Sequence, residues 1–428
     1  MISRDKEDRF TSDFNAMIKI AILNSLGFFY LGFLVPVISR QDMNATGLEI
    51  GLIVSAMVIG YTISSSFVGI MTDKIKRKGL LIFFGSLGRG ISYFIFYFSI
   101  ILNYLIGMWV GMFILGIGAG FFWIPFDTLI AEKSNKNNRS EAFGKRDSAN
   151  AVGQVIGGLL GFGILLFMST FTENPVFVYL AILVYGISNI FAGILFLKTV
   201  DESIRFYNSD LSSNETMNSQ QKVSLRKMPL PMIVGLIILF TAVLLSSINA
   251  NLWRPFLNIY IIEHLTEDLL IVIFIYLPAG LLATILAPKL GEIVDKLKPS
   301  TAIIILGLSG ATVTWFLINT VNLVFFAILL LIDLTVAISS GLLFRNLLSR
   351  ITIEHRGKIL GLCSVFINVG AIIGPVFGGY IWDIQGPQSP FIISIFVELS
   401  LIPLYLMVIF LLLPHVAETY DTDKKNEL

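Results

Sequence analysis

The chain has 428 residues, 55% of them hydrophobic and 14% charged, and a net charge of +1. Soluble domains carry about a quarter charged residues, so this composition, with a mean hydropathy of +0.82, excludes an ordinary soluble globule and points to a membrane. A charge so near zero leaves no basic excess for nucleic acid, and the single cysteine, Cys363, reads as a small apolar helix residue with no disulfide to form.

A membrane-spanning helix needs about 20 mostly apolar residues. In chain order, spans are expected near 14–37, 49–71, 79–101, 104–131, 146–169 and 176–198, then near 230–262, 268–290, 301–319, 322–349, 358–382 and 391–413. The fold class is therefore an all-α membrane protein of twelve spans in two groups of six. The first span follows the charged stretch MISRDKEDRF and is long enough to cross, so it serves as its own uncleaved insertion signal. Between the groups lies a polar stretch containing SDLSSNETMNSQQ, a flexible linker by composition. The expected domains are a first bundle at 1–198, a linker at 199–229, and a second bundle with a tail at 230–428.

Lys and Arg in short loops orient the chain. One side collects Lys74, Lys76, Arg77, Lys78, Lys133, Lys136, Arg139, Lys296, Lys298, Arg350, Arg356 and the linker cations, against Arg40 alone on the other. Both termini and the linker are expected in the cytoplasm, with the chain multi-pass in the cell membrane.

The two groups are related by sequence. An offset of 217 lays Arg139, Gly144, Gly153, Gly157 and Gly161 over Arg356, Gly361, Gly370, Gly374 and Gly378. An offset of 222 lays Gly69, Asp73, Lys74 and Lys76 of GIMTDKIKRK over Gly291, Asp295, Lys296 and Lys298 of GEIVDKLK. Two six-helix halves related by an axis along the membrane normal are a known transporter architecture.

GIMTDKIKRK resembles the loop 2–3 signature of the major facilitator superfamily, with Gly69, Asp73, Lys74, Arg77 and Lys78 matching and Lys76 replacing a glycine. Spans 5 and 11 resemble the superfamily's fifth-helix antiporter signature. Span 5 has Gly158 where the signature has proline, while Gly361, Gly370, Gly374, Pro375, Gly378 and Gly379 of span 11 give the whole pattern. The resemblance covers nearly all of 14–413 and, within the superfamily, is closest to the drug:proton antiporter branch. It implies a secondary transporter, without cofactor, metal or enzymatic activity, that works by alternating access on a small molecule. It also implies that spans 1, 4, 7 and 10 line the cavity, and that Asp73 latches the cytoplasmic side against the start of span 11.

Glycines four apart let a neighbouring backbone approach closely. The faces of Gly153, Gly157 and Gly161, and of Gly370, Gly374 and Pro375, are expected at helix interfaces, in this family across the two halves; tight packing with no part in transport is the other reading. Charges inside a membrane are functional candidates because burying them is costly. Asp333 in LLLIDLTVA and Arg254 in ANLWRPF are expected at similar depth, as a cavity pair or as a structural ion pair. Asn24, Tyr30, Asn249, Asn251, Trp253 and Gln154 add polar and aromatic points to the expected cavity wall, although asparagines also join helices. Phe121, Phe122 and Trp123 could line the cavity for an amphipathic ligand or face lipid.

Gly69, Asp73, Lys74, Arg77, Arg139 and Asp295 are the expected gating set, with Glu132 beside them, and Asp127 with Arg345 forms a further gate unless each reaches for the interface alone. Arg89, mid-span 3, demands an internal partner that the sequence does not name, and Glu398 sits on the peripheral span 12. Met112 stands where the superfamily's drug exporters carry a span 4 arginine, which puts proton coupling by the usual route in doubt. The three histidines, His264, His355 and His415, show no metal-ligand spacing, and no P-loop occurs. The reading is proton-coupled export of amphipathic compounds by a monomer. Symport uptake of a sugar or organic anion, and a lipid-translocating or sensor protein on the same scaffold, are the alternatives.

Overall fold

The computed structural model describes residues 9–135, 138–206, 230–294, 296–351 and 356–412. Apart from one isolated bridge between Phe10 and Ser134, all regular structure among them is helical. The first half contains α1 (Phe14–Ser25), α2 (Phe28–Gln41), α3 (Gly47–Lys74), α4 (Lys78–Ile101), α5 (Leu105–Glu132), α6 (Arg139–Ser169), the short α7 (Pro175–Val178) and α8 (Leu180–Thr199). The second contains α9 (Leu230–Leu252), a 3-10 turn (Arg254–Phe256), α10 (Leu257–His264), α11 (Leu269–Val294), α12 (Pro299–Asn319), α13 (Leu323–Ile351), α14 (Arg356–Gln385) and α15 (Ser389–Leu412). Eleven helical segments are long and apolar enough to cross a membrane, and Leu269–Ala283 of α11 supplies a shorter apolar stretch.

The chain divides into two compact units, Met1–Ser224 and Leu225–Leu428. In the first, α4 packs on α5 and α8, α3 packs on α5, and α1 packs on α6 and α8. In the second, α12 packs on α13 and α15, α11 packs on α13, and α9 packs on α14 and α15. These are the same five pairings, so the repeat legible in glycines and charges is also a repeat of neighbours. Large side chains such as Phe67, Phe98, Phe167 and Phe410 are exposed, as helices facing acyl chains require.

Helix ends follow local chemistry. Thr46 caps α3 with a reciprocal box, its hydroxyl accepting from Glu49 N at 3.2 Å while Glu49 Oε2 accepts from Thr46 N at 2.8 Å. This starts the helix two residues before the expected 49. α6 starts seven residues before the expected 146, in a charged stretch from Arg139 to Asp147 that reads as loop by hydropathy yet forms helix.

Two expected single spans are broken. Span 1 stops at Ser25 and resumes at Phe28, with Gly27 at φ 83°, a conformation that disfavours any residue with a Cβ. Span 7 stops at Leu252 and passes through the Arg254–Phe256 turn, where Pro255 has no N–H to give. A hydropathy window averages over both interruptions. Backbone freed inside a membrane must be paired within the protein, and both breaks carry polar clusters.

Candidate functional site

In the second unit, polar side chains from α9, α12, α13 and α15 converge. Asp333, on the 29-residue α13, is 5% exposed. Its Oδ1 accepts from Thr314 Oγ1 of α12 at 3.1 Å, and its Oδ2 is buried with no hydrogen-bond partner. One turn away on α12, Gly310 makes room for Glu398 of α15, whose Oε2 would lie 2.9 Å from an added Cβ. The Asn249 side chain of α9 lies within interaction range of Glu398, and Glu398 Oε2 has no partner. Arg254, exposed at the break of span 7, lies within electrostatic reach of Asp333 and of Tyr276.

The expected Arg254–Asp333 cavity pair makes no ion pair within 4.0 Å among the described residues: Asp333 is buried against Thr314, while Arg254 is exposed. Trp253 is buried, at 5.6 Å from the Phe391 ring, and Asn251 donates back to Ser247 O at 2.8 Å, which explains both as supports of the break. Glu398, set aside in the sequence as peripheral, is a member of this cluster. The bare Cα of Gly310, four residues before Thr314 on the same face of α12, is the signal that could have found it.

In the first unit the break of span 1 is held by side chains from two helices, α4 and α8. Arg89 of α4, 3% exposed, donates from its terminal nitrogen to Asn24 O at 2.8 Å and from Nε to Asn189 Oδ1 at 3.1 Å. Tyr93 OH donates to Leu26 O at 3.2 Å, and Ser188 Oγ to Leu23 O at 3.1 Å. The carbonyls at a helix C-terminus carry partial negative charge and have no intrahelical partners. A guanidinium there supplies both charge and donors, so the missing partner of Arg89 is the backbone of the broken span. Asn24 and Tyr30 are corrected accordingly: both are fully buried in this interior, Asn24 donating to Ser86 Oγ at 3.1 Å and the Tyr30 ring packed edge-on against Phe162 and Tyr185.

The glycine faces pack inside their own halves. A Cβ at Gly153 would lie 2.5 Å from Ile22 O, one at Gly157 2.5 Å from Gly27 N, and one at Gly161 2.7 Å from the Tyr30 ring. In the second unit a Cβ at Gly370 would lie 2.5 Å from Ser247 Cβ, one at Gly374 2.7 Å from Ile248 O, and one at Gly378 1.9 Å from Leu252 O. Each face thus seats the broken span of its own unit, because only a bare Cα admits a backbone that close. Pro375 lies inside α14 beside Gly374.

At the charged end of the first unit, Asp127 of α5 pairs with Arg146 of α6 at 2.6 Å, and Arg146 lies over the Trp123 ring at 5.4 Å. Glu132 pairs with Lys78 at 2.5 Å and Arg205 at 3.3 Å within the same unit. Lys133, fully buried, reaches Asp13 at 2.6 Å, Asp201 O at 2.7 Å and Ile204 O at 3.0 Å. This clasp joins the N-terminal segment, the end of α5 and the segment after α8. The Ser203 hydroxyl and N–H on Asp201 hold its carboxyl below the usual range. Asp73, Lys74 and Arg77 are exposed, and a Cβ at Gly69 would meet nothing within 4 Å. Arg77 and Lys76 border an open polar recess of about 440 Å³ with Lys198 and residues 199–203. Arg139 is half-buried at the start of α6. Asp295 and the side chain of Arg345 lie outside the described residues, as do 207–229 and 413–428. No group of three or more His, Cys, Asp and Glu among the described residues could hold a metal.

A family model described as Major Facilitator Superfamily matches residues 19–351. The chain belongs to the Major Facilitator Superfamily. It is a multi-pass membrane transport protein and not an enzyme. Within the superfamily it is 26% identical over 403 residues to multidrug resistance protein 2 of Bacillus subtilis (strain 168), covering 89% of this chain and 92% of that one. It is 24% identical over 386 residues to quinolone resistance protein NorA of Staphylococcus aureus (strain MSSA476), covering 87% and 91%. Among solved superfamily structures, a bacterial homologue of the human lysosomal transporter Spinster, inward-facing and unoccupied, matches with a TM-score of 0.72 at 12% identity, covering 95% of this chain and 98% of that one. At that identity the likeness is one of fold.

Proposed function

We propose that the protein is a secondary exporter of amphipathic organic compounds, working by alternating access and driven by protons. The observation that carries the reading is Asp333: a carboxyl 5% exposed in the middle of a spanning helix, with no ion pair among the described residues. An ionisable group kept at that depth is retained for transport more readily than for stability. Kinship over most of the chain with proteins named for multidrug and quinolone resistance supports export and an amphipathic substrate class. In this reading Asp333 takes and releases the proton. Arg254 answers to the occupant of the site, while Trp253 and Asn251 hold the broken span that carries it. Gly69, Asp73, Lys74, Arg77 and Asp295 bias the cytoplasmic side, with Asp127, Arg139 and Arg345 as further gating charges. Both termini are cytoplasmic and the working unit is a monomer.

The test is transport of ethidium, an amphipathic cation, by the purified protein in proteoliposomes. Wild-type protein accumulates ethidium under an imposed pH gradient and exchanges it by counterflow without one. Asp333→Asn keeps counterflow and loses the gradient-driven part. Gradient-driven accumulation undiminished in Asp333→Asn rules out Asp333 as the proton site.

A further inference from the structure

The polar cluster of the second unit holds two carboxyls, and the proposed function uses only one. Glu398 comes from α15, and its surroundings are built for it. Gly310 leaves the space its carboxyl occupies, with Oε2 at 2.9 Å from where a Cβ would stand. The Asn249 side chain of α9 lies within interaction range of it. Gly310 and Thr314 are one turn apart on α12, so one helix face seats both acids: Thr314 donates to Asp333 at 3.1 Å, and the bare Cα of Gly310 admits Glu398. Each acid keeps one buried oxygen, Asp333 Oδ2 and Glu398 Oε2, without a hydrogen-bond partner, and Ser394 Oγ, one turn before Glu398 on α15, is unpartnered as well. Neither carboxyl makes an ion pair within 4.0 Å among the described residues. Among charged groups, Asp333 is in electrostatic reach of Glu398, and Arg254 of Asp333; Arg254 in turn reaches Tyr276.

We infer that Glu398 and Asp333 form a proton-binding dyad across α12, with Glu398 as the second acid of the site. Two carboxylates this deep repel one another when no cation sits between them, and a proton held on either one relieves the pair. The dyad therefore titrates as a unit. One proton gives a carboxyl–carboxylate pair of net charge −1, and a second gives a neutral pair, with each proton on a carboxyl oxygen and no other bond made or broken. Arg254, exposed at the break of span 7 and in reach of Asp333, is the group through which an occupant alters the pair. Asn249 belongs to α9, the helix that ends at that break, and lies beside Glu398, so the second acid neighbours the broken span.

This inference rests on the proton-coupled reading for its role in transport, but the dyad can be observed apart from transport. In the purified protein in lipid, pH-difference infrared spectra report the carbonyl stretch of protonated buried carboxyls. Wild type is expected to give a band with two components. Glu398→Gln and Asp333→Asn each remove one, and each shifts the midpoint of the component that remains by about one pH unit or more. Gly310→Ala, which leaves both acids in place but takes the space of the Glu398 carboxyl, is expected to shift the Glu398 component. In the ethidium assay, Glu398→Gln keeps counterflow and loses gradient-driven accumulation, as Asp333→Asn does, and the double variant is no worse than either single one. A spectrum unchanged by Glu398→Gln, or a remaining midpoint that does not move, overturns the dyad. If wild type moves no ethidium at all, the export reading falls while the infrared titration still decides whether the two acids share their protons.

Discussion

Arg89 shows how a single buried charge is explained by the backbone around it. Its guanidinium is spent on Asn24 O and Asn189 Oδ1, at the end of a helix whose carbonyls would otherwise be unpaired in the membrane interior. Removing it leaves those acceptors buried without a donor. Arg89→Met is therefore expected to destabilise the protein by about 3 kcal/mol, read as a lower midpoint of thermal unfolding in detergent. Arg89→Lys keeps the charge but not the two-pronged geometry, so it should fall between. An unfolding midpoint unchanged in Arg89→Met would show that the break of span 1 holds without it. The same logic covers Asp127 and Arg146: their 2.6 Å pair is one-third exposed or less on each side, so its loss should cost less than the loss of Arg89.

At the scale of helices, the two halves solve one problem in the same way. A broken span lies against a glycine face, α1 and α2 on α6 in one unit and α9 on α14 in the other. Gly378 is the tightest of the six seats, with the added Cβ 1.9 Å from Leu252 O. Gly378→Ala must push α9 away and should cost about 1–3 kcal/mol. Gly163, on α6 with nothing within 4 Å, provides the control. Gly163→Ala should be neutral or stabilising by up to about 1 kcal/mol, since alanine is the better helix former. Equal melting shifts for the two variants would contradict the packing account.

For the whole molecule, the repeat of five helix pairings implies that the halves were built to one plan, and the clasp around Lys133 fastens the end of the first. Lys133→Met leaves Asp13 and two carbonyls without their donor, and should free the segment before α1. Limited proteolysis in detergent is expected to cut near residues 9–13 in Lys133→Met and to spare wild type. Topology is testable on a background carrying Cys363→Ser. A cysteine placed at Glu173 should react in intact cells with a membrane-impermeant thiol reagent, and one placed at Lys76 should react only after the membrane is opened. The reverse pattern would invert the orientation drawn from loop cations.

The all-helical membrane fold, the doubled architecture and the family were legible in the chain, because hydrophobic length, glycine spacing and loop charge are local or periodic and survive without coordinates; of the twelve expected spans, eleven are long and apolar enough to cross among the described residues. The places where charges meet were not. Asp127 was matched in sequence with a distant arginine on another span, but Arg146, one helix further along the chain, reaches it because α5 and α6 come together at that end. Asn24 and Tyr30 look like cavity residues on a polar stripe, yet the turn at Gly27 rotates them into the interior. Glu398 looked peripheral because its helix is, and it became part of the site only when α12 brought Gly310 and Thr314 between two acids. Pairing across 65 residues of chain, from Glu398 to Asp333, depends on which helix faces which. That information lies in packing, where a missing Cβ and a few tenths of an ångström choose the partner.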